Sequence, residues 1–492
     1  MSWLNWFRLS PRRRRQEPLS LDDAGSSQPS DESVAGDDEF LQAPTPKAEP
    51  IMAPADEFAR EPATRARAAA SFPRFEATAS DQLVSRLSGR AAQVRLKLRQ
   101  AYTPSQPITD RRMFAGRTGV LGSLIRAIEA ERLHVIIYGE RGIGKTSLLH
   151  VLAATAREAG YRTIYISCGA GQTFDEMFRA VAIQIPLLYH RDYGPRTAEA
   201  EQGQTLADLL GPDPISPRTA SDMLAHMADT RILVLLDEFD RCEQGEFRLN
   251  VAELIKDLSD RSVRVQLVIA GVAANLTELI AHIPSIQRNV FALHAPKMPD
   301  AEIVELVKGG EGAADMAFDD KAIGFILSAA NGFPYLASLL SHHAAIAALD
   351  EDRFEVSTDD VSSAIAEALK AFKGRISSQS QKQISACVHE QLHRFLGALA
   401  GAGQFGGRFT AEDVSTLRPD AAARHQSLVE KLAADHMLIE GHDDALGRYY
   451  TFIEDGVPVY LWLLSVQARF FEDQHSYADA SIDTRGPDIA SA

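Results

Sequence analysis

LHVIIYGERGIGKTSLLHVLAATAREA, Leu133 to Ala159, is the stretch from which the rest of the chain is read. An apolar run rich in β-branched residues, Leu133–Tyr138, reads as a buried strand. It feeds GERGIGKT, Gly139 to Thr146, and a helical pattern follows from Ser147 to Ala159. The spacing is G-x-x-x-x-G-K-[ST], set between a strand and a helix, which is the context that gives the pattern meaning. Gly139, Gly142 and Gly144 allow the backbone to curl so that its N–H groups point at phosphate oxygens, and the helix N-terminus adds a favourable dipole. The whole loop, Gly139, Glu140, Arg141, Gly142, Ile143, Gly144, Lys145, Thr146 and Ser147, is the expected cofactor-binding segment. Lys145 is expected to reach the β- and γ-phosphates of a nucleoside triphosphate, most naturally ATP. The Thr146 hydroxyl is placed to ligate Mg²⁺.

A second element stands downstream in ILVLLDEFD, Ile232 to Asp240. A hydrophobic run ending in Asp-Glu is a weak signal alone, but it gains weight at this distance behind a phosphate-binding loop. Asp237 is placed to complete the magnesium shell and Glu238 to polarise an attacking water. Asp240 reads as a surface or supporting residue.

Around these two strands lies an alternation of strand-like and helical runs. Strands are expected at Leu133–Tyr138, Arg162–Cys168, Arg231–Leu236, Arg264–Ala270 and Asn289–His294. Short apolar strands alternating with helices imply a parallel sheet covered on both faces. The Gly- and Pro-containing stretch from His190 to Ala220 reads as an insertion or loop. After Pro296 the strand signals stop. Helices are expected at Asp300–Lys308, Asp319–Ala330, Pro334–Ala348 and Thr358–Phe372. A third unit follows: a helix (Ser385–Ala400), a short helix after Thr410, a helix (Ala421–Asp435), then strands Met437–Glu440 and Tyr449–Ile453 around a polar turn. That order is a winged-helix pattern.

Phe114-Ala115-Gly116-Arg117, the phosphate loop, the Asp-Glu strand end and Asn331-Gly332-Phe333-Pro334 together resemble the AAA+-like ATPases. The signal-transduction ATPases and the archaeal-type initiator ATPases are the groups most alike. The resemblance covers roughly residues 113–470 and implies an α/β P-loop NTPase with a parallel sheet, a helical lid and a winged helix. It also implies that Phe114, Gly116, Arg117 and Pro334 flank the nucleotide base. An arginine acting across a subunit boundary is common in that family, and Arg288 stands where one is expected. One departure is the end of the fourth strand, Ile269-Ala270-Gly271, which lacks the family's polar side chain; Asn275 is the nearest substitute. The expected organisation is a disordered region 1–79, a basic helix and linker 80–112, an ATPase core 113–297, a lid 298–375, a winged helix 376–471 and a loose tail 472–492.

The helix in the linker, with Ser80 or Asp81 as N-cap, carries Arg86, Arg90, Arg95, Lys97 and Arg99 beside an apolar stripe. It reads either as a docking surface or as a solvated face on a helix packed against the next domain. Trp3, Leu4, Trp6, Phe7 and Leu9 before Arg12–Arg15 offer a peripheral membrane contact or simply a sticky end. His389-Glu390-Gln391-Leu392-His393 matches a zinc-protease spacing, yet the same helix needs Leu392, Phe395, Leu396 and Leu399 for its core face. The chain has 492 residues and a net charge of −16, so nothing global draws it to nucleic acid. Between Ala386 and Phe470 there are 7 Lys/Arg against 11 Asp/Glu, and strong DNA binding by the winged helix is not expected. Three widely spaced cysteines and no long apolar run fit a cytoplasmic protein. The reading is an ATP-hydrolysing switch acting on a protein partner, with ATP-dependent self-association. A DNA-associated ATPase and a nucleotide-binding scaffold without turnover are the alternatives.

Overall fold

The computed structural model describes residues 89–482 apart from 110, 194–196, 199–201, 243–244, 274–275, 280–283, 388–389, 404–406, 418–421, 436 and 445–446. The region read as disordered, the Ser80/Asp81 cap, the N-terminal aromatic cluster, Asn275 and the histidine pair of the zinc-protease spacing fall outside the described residues or side chains.

Five parallel strands form the central sheet in the order β2-β3-β4-β1-β5, where β1 is His134–Gly139, β2 Arg162–Ser167, β3 Ile232–Asp237, β4 Val265–Val272 and β5 Val290–His294. Each lies within two residues of its expected span. The three inner strands are almost wholly buried, which is why they read as continuous Val/Ile/Leu runs. The edge strands β2 and β5 alternate between buried and exposed positions. Helices α2 (Thr118–Glu129) and α3 (Lys145–Glu158) cover one face. Helices α4 (Phe174–Ala182), α5 (Pro217–Leu224) and α6 (Gly245–Asp260) cover the other. Helix α4 begins with a reciprocal Thr173–Glu176 capping box, which satisfies N–H groups that the first turn leaves without partners. Register places Ser167 beside Asp237 and Gly139 beside Val272. The carboxyl ends of β1, β3 and β4 therefore open on one crevice, the usual place for a ligand in a sheet of this kind.

The expected insertion before β3 is ordered where described. Leu206, Ile215 and Ala220 are buried against the second face.

The lid comprises α7 (Asp300–Ala314), α8 (Asp320–Ala330), α9 (Pro334–Asp350) and α10 (Thr358–Lys373). It is not purely helical. Two strands, β6 (Ala317–Phe318) and β7 (Glu355–Val356), form a two-residue parallel pair, too short to leave a period in the sequence. The basic helix, α1 (Arg90–Ala101), packs on this lid. Arg95 pairs with Asp350, Lys97 with Asp315, and the Arg90 guanidinium lies 4.1 Å from the Phe354 ring centre. Arg90, Arg95 and Lys97 thus face the helices they pack against, while Arg99 is exposed and Arg86 lies outside the described residues. Behind α1, Tyr102 is buried and its hydroxyl donates to Val307 O at 2.6 Å. Gly310 makes room for that ring, since a Cβ there would lie 2.1 Å from Tyr102 Cζ.

The C-terminal unit contains α11 (Ser378–Cys387), α12 (Glu390–Ala402), α13 (Ala411–Thr416), α14 (Ala422–Ala434) and an antiparallel hairpin, β8 (Ile439–Asp444) with β9 (Gly447–Phe452). An isolated bridge, Phe409 to Tyr450, adds a third strand position. The strands meet across a shorter turn than expected. The helix expected at Ser385–Ala400 overlaps both α11, which begins at Ser378, and α12. A final helix, α15 (Gly456–Ile482), was not foreseen, and it runs into the stretch read as tail. Its run VPVYLWLLSV has no clean helical period because both sides are covered. Val459, Leu463 and Val466 join the lid cluster, while Val457 and Leu461 join the C-terminal one. The Trp462 indole donates to Ala329 O at 2.7 Å, and Phe325 stacks on Phe470 at 4.4 Å. Among the described residues no helix is long and apolar enough to cross a membrane.

Candidate functional site

A cavity of about 420 Å³ lies where the sheet's carboxyl edge meets the lid. Of the residues singled out by sequence, Phe114, Arg141, Gly142, Gly144, Lys145, Thr146, Ser147, Asp237, Glu238 and Pro334 line it. Gly139, Glu140, Ile143, Gly116 and Arg117 do not line it, and Arg288 stands apart, exposed at the end of a 3₁₀ turn before β5. Gly139 is buried beneath the loop. Ile143 turns its side chain into the core at 1% exposure, so only its backbone is available to a ligand. Gly142 and Gly144 adopt φ of 76° and 90°, a region open to glycine at little cost.

Lys145 is buried beneath this loop, and its Nζ donates to Gly139 O and Glu140 O, both at 2.8 Å. Burial lowers its pKa from 10.5 to about 8, against the opposing pull of Asp240 and Asp237. The ammonium thus rests on the loop's own carbonyls, in reach of whatever fills the cavity. Ser147 accepts from Ile108 N at 3.1 Å and so fastens the segment after α1 to the start of α3. Through that contact Thr103–Ile108 becomes a wall of the cavity, a role with no local sequence signal.

At the acidic end, Asp237 Oδ2 accepts from the Tyr165 hydroxyl at 2.7 Å and Oδ1 from Glu238 N at 2.9 Å. Tyr165 stacks on His150 with ring centres 4.6 Å apart. Burial, then the bond to Asp237, push the Tyr165 phenol above its usual range. Glu238 sits at φ 53°, and its Oε2 accepts from Ser167 Oγ at 3.1 Å and Arg241 Nη1 at 2.8 Å. Asp240, read as a supporting residue, lines the cavity, and its Oδ1 accepts from Val272 N at 2.7 Å. This explains the missing polar side chain at the end of β4. A Cβ at Gly271 would lie 2.4 Å from Leu279 Cδ1 and 3.0 Å from Asp240 Oδ1. The polar group at that point therefore comes from the neighbouring turn. Tyr165, Ser167 and Arg241 were not foreseen in these positions. Only the strand register reveals the first two.

On the base side, Gly144 carries Pro334 and Arg117 close by: a Cβ there would lie 3.5 Å from Pro334 Cγ and 3.6 Å from Arg117 Nη1. Arg117 is buried, and its Nη2 donates to Pro296 O at 2.5 Å. Burial lowers its pKa, with Glu302 opposing. Gly116, at φ 66°, faces Glu302, whose Cβ a side chain there would meet at 2.8 Å. Arg141 points outward and pairs with Asp455 at the start of α15.

Residues 128–280 match the AAA domain family, and this segment is an AAA+-like P-loop domain. Solved structures of similar shape include a Cdc6 protein from Pyrobaculum aerophilum, at 15% identity, TM-score 0.42, covering 76% of this chain and 98% of that one. ORC2 from Aeropyrum pernix, solved in ADPNP–ADP complexes, is 16% identical with TM-score 0.41, covering 77% and 98%. The RuvB Holliday junction branch migration motor of Thermotoga maritima is 16% identical with TM-score 0.37, covering 70% and 95%. No curated protein matches the chain.

Proposed function

We propose that the chain binds Mg·ATP in this cavity and hydrolyses it slowly, as a molecular switch whose output is a protein partner. The observation that carries this reading is the convergence of Lys145, Thr146, Asp237 and Glu238 on one cavity that Pro334, Tyr335 and Ser338 border from the other side. Thr146 and Asp237 offer hard oxygens to the same space, the donor type Mg²⁺ prefers. Bound there, the ion would neutralise charge on the phosphates. Glu238 is the acceptor for a water proton once Ser167 and Arg241 release it. Phe114, Pro334 and Tyr335 supply apolar surface for a base. Gly116 and Arg117 act on that side from behind, by holding the turn in which they lie against Glu302 and Pro296.

Self-association on ATP binding belongs to the same reading. Arg288 is exposed and away from its own cavity, as a group serving a neighbouring copy must be. The contacts that hold Glu238 also favour a second reading, a nucleotide-binding scaffold with little turnover. The two are separated by single-turnover hydrolysis on wild type, Lys145→Ala and Glu238→Gln. A switch requires that Lys145→Ala lose ATP binding in calorimetry, and that Glu238→Gln bind as wild type but stop hydrolysing. Wild-type affinity in Lys145→Ala overturns the nucleotide site. Turnover no higher in wild type than in Glu238→Gln favours the scaffold.

A further inference from the structure

Outside the cavity lining, the insertion before β3 brings together three metal-ligating side chains that the nucleotide reading does not use. Tyr189 to Asp192 runs alongside His226 to Ala228, held by Arg191 N to His226 O at 2.9 Å, Ala228 N to Tyr189 O at 2.7 Å and an antiparallel bridge between His190 and Met227. This pairing brings the segments that carry His190, Asp192 and His226 side by side. Their donor atoms all lie within 4.8 Å of one another. His226 Nδ1 is 3.4 Å from Asp192 Oδ2, and His190 Nδ1 is 3.7 Å from the same oxygen. Metal–donor bonds of about 2.0–2.1 Å in a tetrahedron place neighbouring donors about 3.3–3.4 Å apart. Both histidine nitrogens already stand near that spacing from the Asp192 oxygen.

We propose that His190, Asp192 and His226 bind one divalent transition-metal ion of the zinc class, which staples the insertion to the segment entering β3. Imidazole nitrogens with a single carboxylate suit zinc rather than magnesium or calcium, which prefer oxygen shells. Three protein ligands leave a fourth position for water, on the side where Asp192 is exposed. His190 is nearly buried, with its ring edge-on to Tyr193 at 5.3 Å.

The other groups facing the cluster set the terms of binding. Asp192 N donates to His190 Nδ1 at 3.3 Å, a bond the ion would replace if it takes that nitrogen rather than Nε2. Arg191 Nη2 lies 3.1 Å from His226 Nε2, and its Nε is 3.8 Å from Asp192 Oδ1. Coordination through His226 Nδ1 puts the proton on Nε2, so the exposed Arg191 side chain has to swing away. Removing Arg191 therefore tightens binding.

The test uses the full chain, stripped with a chelator and dialysed, then titrated with zinc chloride alone in competition with a chromophoric chelator. One equivalent is expected to bind at micromolar affinity or tighter and to raise the melting temperature. Asp192→Asn and His226→Gln should each weaken it about tenfold or more, leaving the melting temperature of the metal-free protein unchanged. Arg191→Ala should tighten it. His389→Ala and Asp237→Ala, which remove competing ligands elsewhere, should leave it intact. Failure of wild type to bind any equivalent below about 100 µM overturns the proposal. So does an equivalent that survives His226→Gln, or one that disappears with His389→Ala or Asp237→Ala. None of these outcomes decides whether ATP binds, which Lys145→Ala tests separately.

Discussion

Raising the pH should weaken ATP binding through one group, Lys145. In the empty site its ammonium is 8% exposed and its pKa falls from 10.5 to about 8, chiefly through burial. That shift of about 2.5 units corresponds to about 3 kcal/mol of preference for the neutral amine, at roughly 1.4 kcal/mol per unit. A bound triphosphate reverses the preference, since it brings negative charge to the ammonium. Below pH 8 the free protein is already protonated there, and affinity is unaffected. Above pH 8 each binding event must first return a proton, and the dissociation constant should rise by about tenfold per pH unit. Neighbouring groups do not confuse the window, because burial pushes the Tyr165 phenol and the Cys168 thiol upward, away from it. Lys297, also lowered by burial, does not line the cavity. The same shift acts on stability with the opposite sign. The folded pKa lies below the unfolded one, so the unfolded chain binds more protons between about pH 8 and 10.5, and the empty protein gains stability as pH rises through that range. Calorimetric titration of Mg·ATP from about pH 7 to 9.5 at fixed ionic strength tests the argument. A dissociation constant that stays flat across the range refutes it.

Arg241→Ala should raise single-turnover hydrolysis by no more than about fivefold, because the Arg241–Glu238 pair is exposed and such pairs are weak; no change in rate would mean that Arg241 does not hold Glu238 back. Gly310→Ala should destabilise by about 1–3 kcal/mol in denaturant melts, since its Cβ would meet the buried Tyr102 ring at 2.1 Å, and it should weaken nucleotide binding by shifting the adjoining wall. A melt unchanged from wild type would contradict the contact. Buried His134 accepts from Leu267 N at 3.0 Å and its pKa falls from 6.5 to about 4. Its contribution, on the order of 3 kcal/mol, is full above pH 6.5 and lost as pH falls towards 4; a melting temperature that does not drop across that range would contradict it. At about 0.1 M salt the full chain should bind mixed duplex DNA no better than the usual non-specific range of roughly 10⁻⁴–10⁻⁶ M, with titration by fluorescence anisotropy as the check.

The phosphate loop and the Asp-Glu strand end were legible because their chemistry is local: glycines, a lysine and two acids each sit where their own segment puts them. The inner strands were legible because burial on both faces leaves nothing but apolar residues. What escaped depends on partners distant in sequence. Ser167 meets Glu238 only because β2 pairs with β3 in that register, 71 residues away. Thr103–Ile108 becomes a cavity wall through a bond from Ile108 to Ser147. The basic face of α1 shows no docking signal beyond its charge, and Asp350, the partner of Arg95, lies 255 residues on. Helix α15 was missed for the same reason. A helix packed on two sides loses the polar stripe by which a surface helix announces itself.

That two-sided packing bears on how a nucleotide signal would leave the cavity. Helix α15 is joined to the lid by the buried Val459, Leu463 and Val466 and by the partly buried contacts of Trp462 with Ala329 and Phe470 with Phe325, and to the C-terminal unit by Val457 and Leu461. Glu454, just before it, accepts from Ser377 N at 2.8 Å and from Ser380 Oγ at 2.7 Å, closing the joint from the other side. Against the phosphate loop it has the exposed pair between Asp455 and Arg141, a contact of the kind worth about 0.2–1 kcal/mol. The inequality decides which parts move together. Under the proposed switch, a lid that closes on nucleotide carries α15 and the C-terminal unit with it as one body. The cheap contact at Arg141 is the one that breaks and re-forms. Replacing Asp455 should therefore alter the nucleotide affinity only slightly, whereas loosening Trp462 should uncouple the C-terminal unit from the nucleotide state while leaving binding intact.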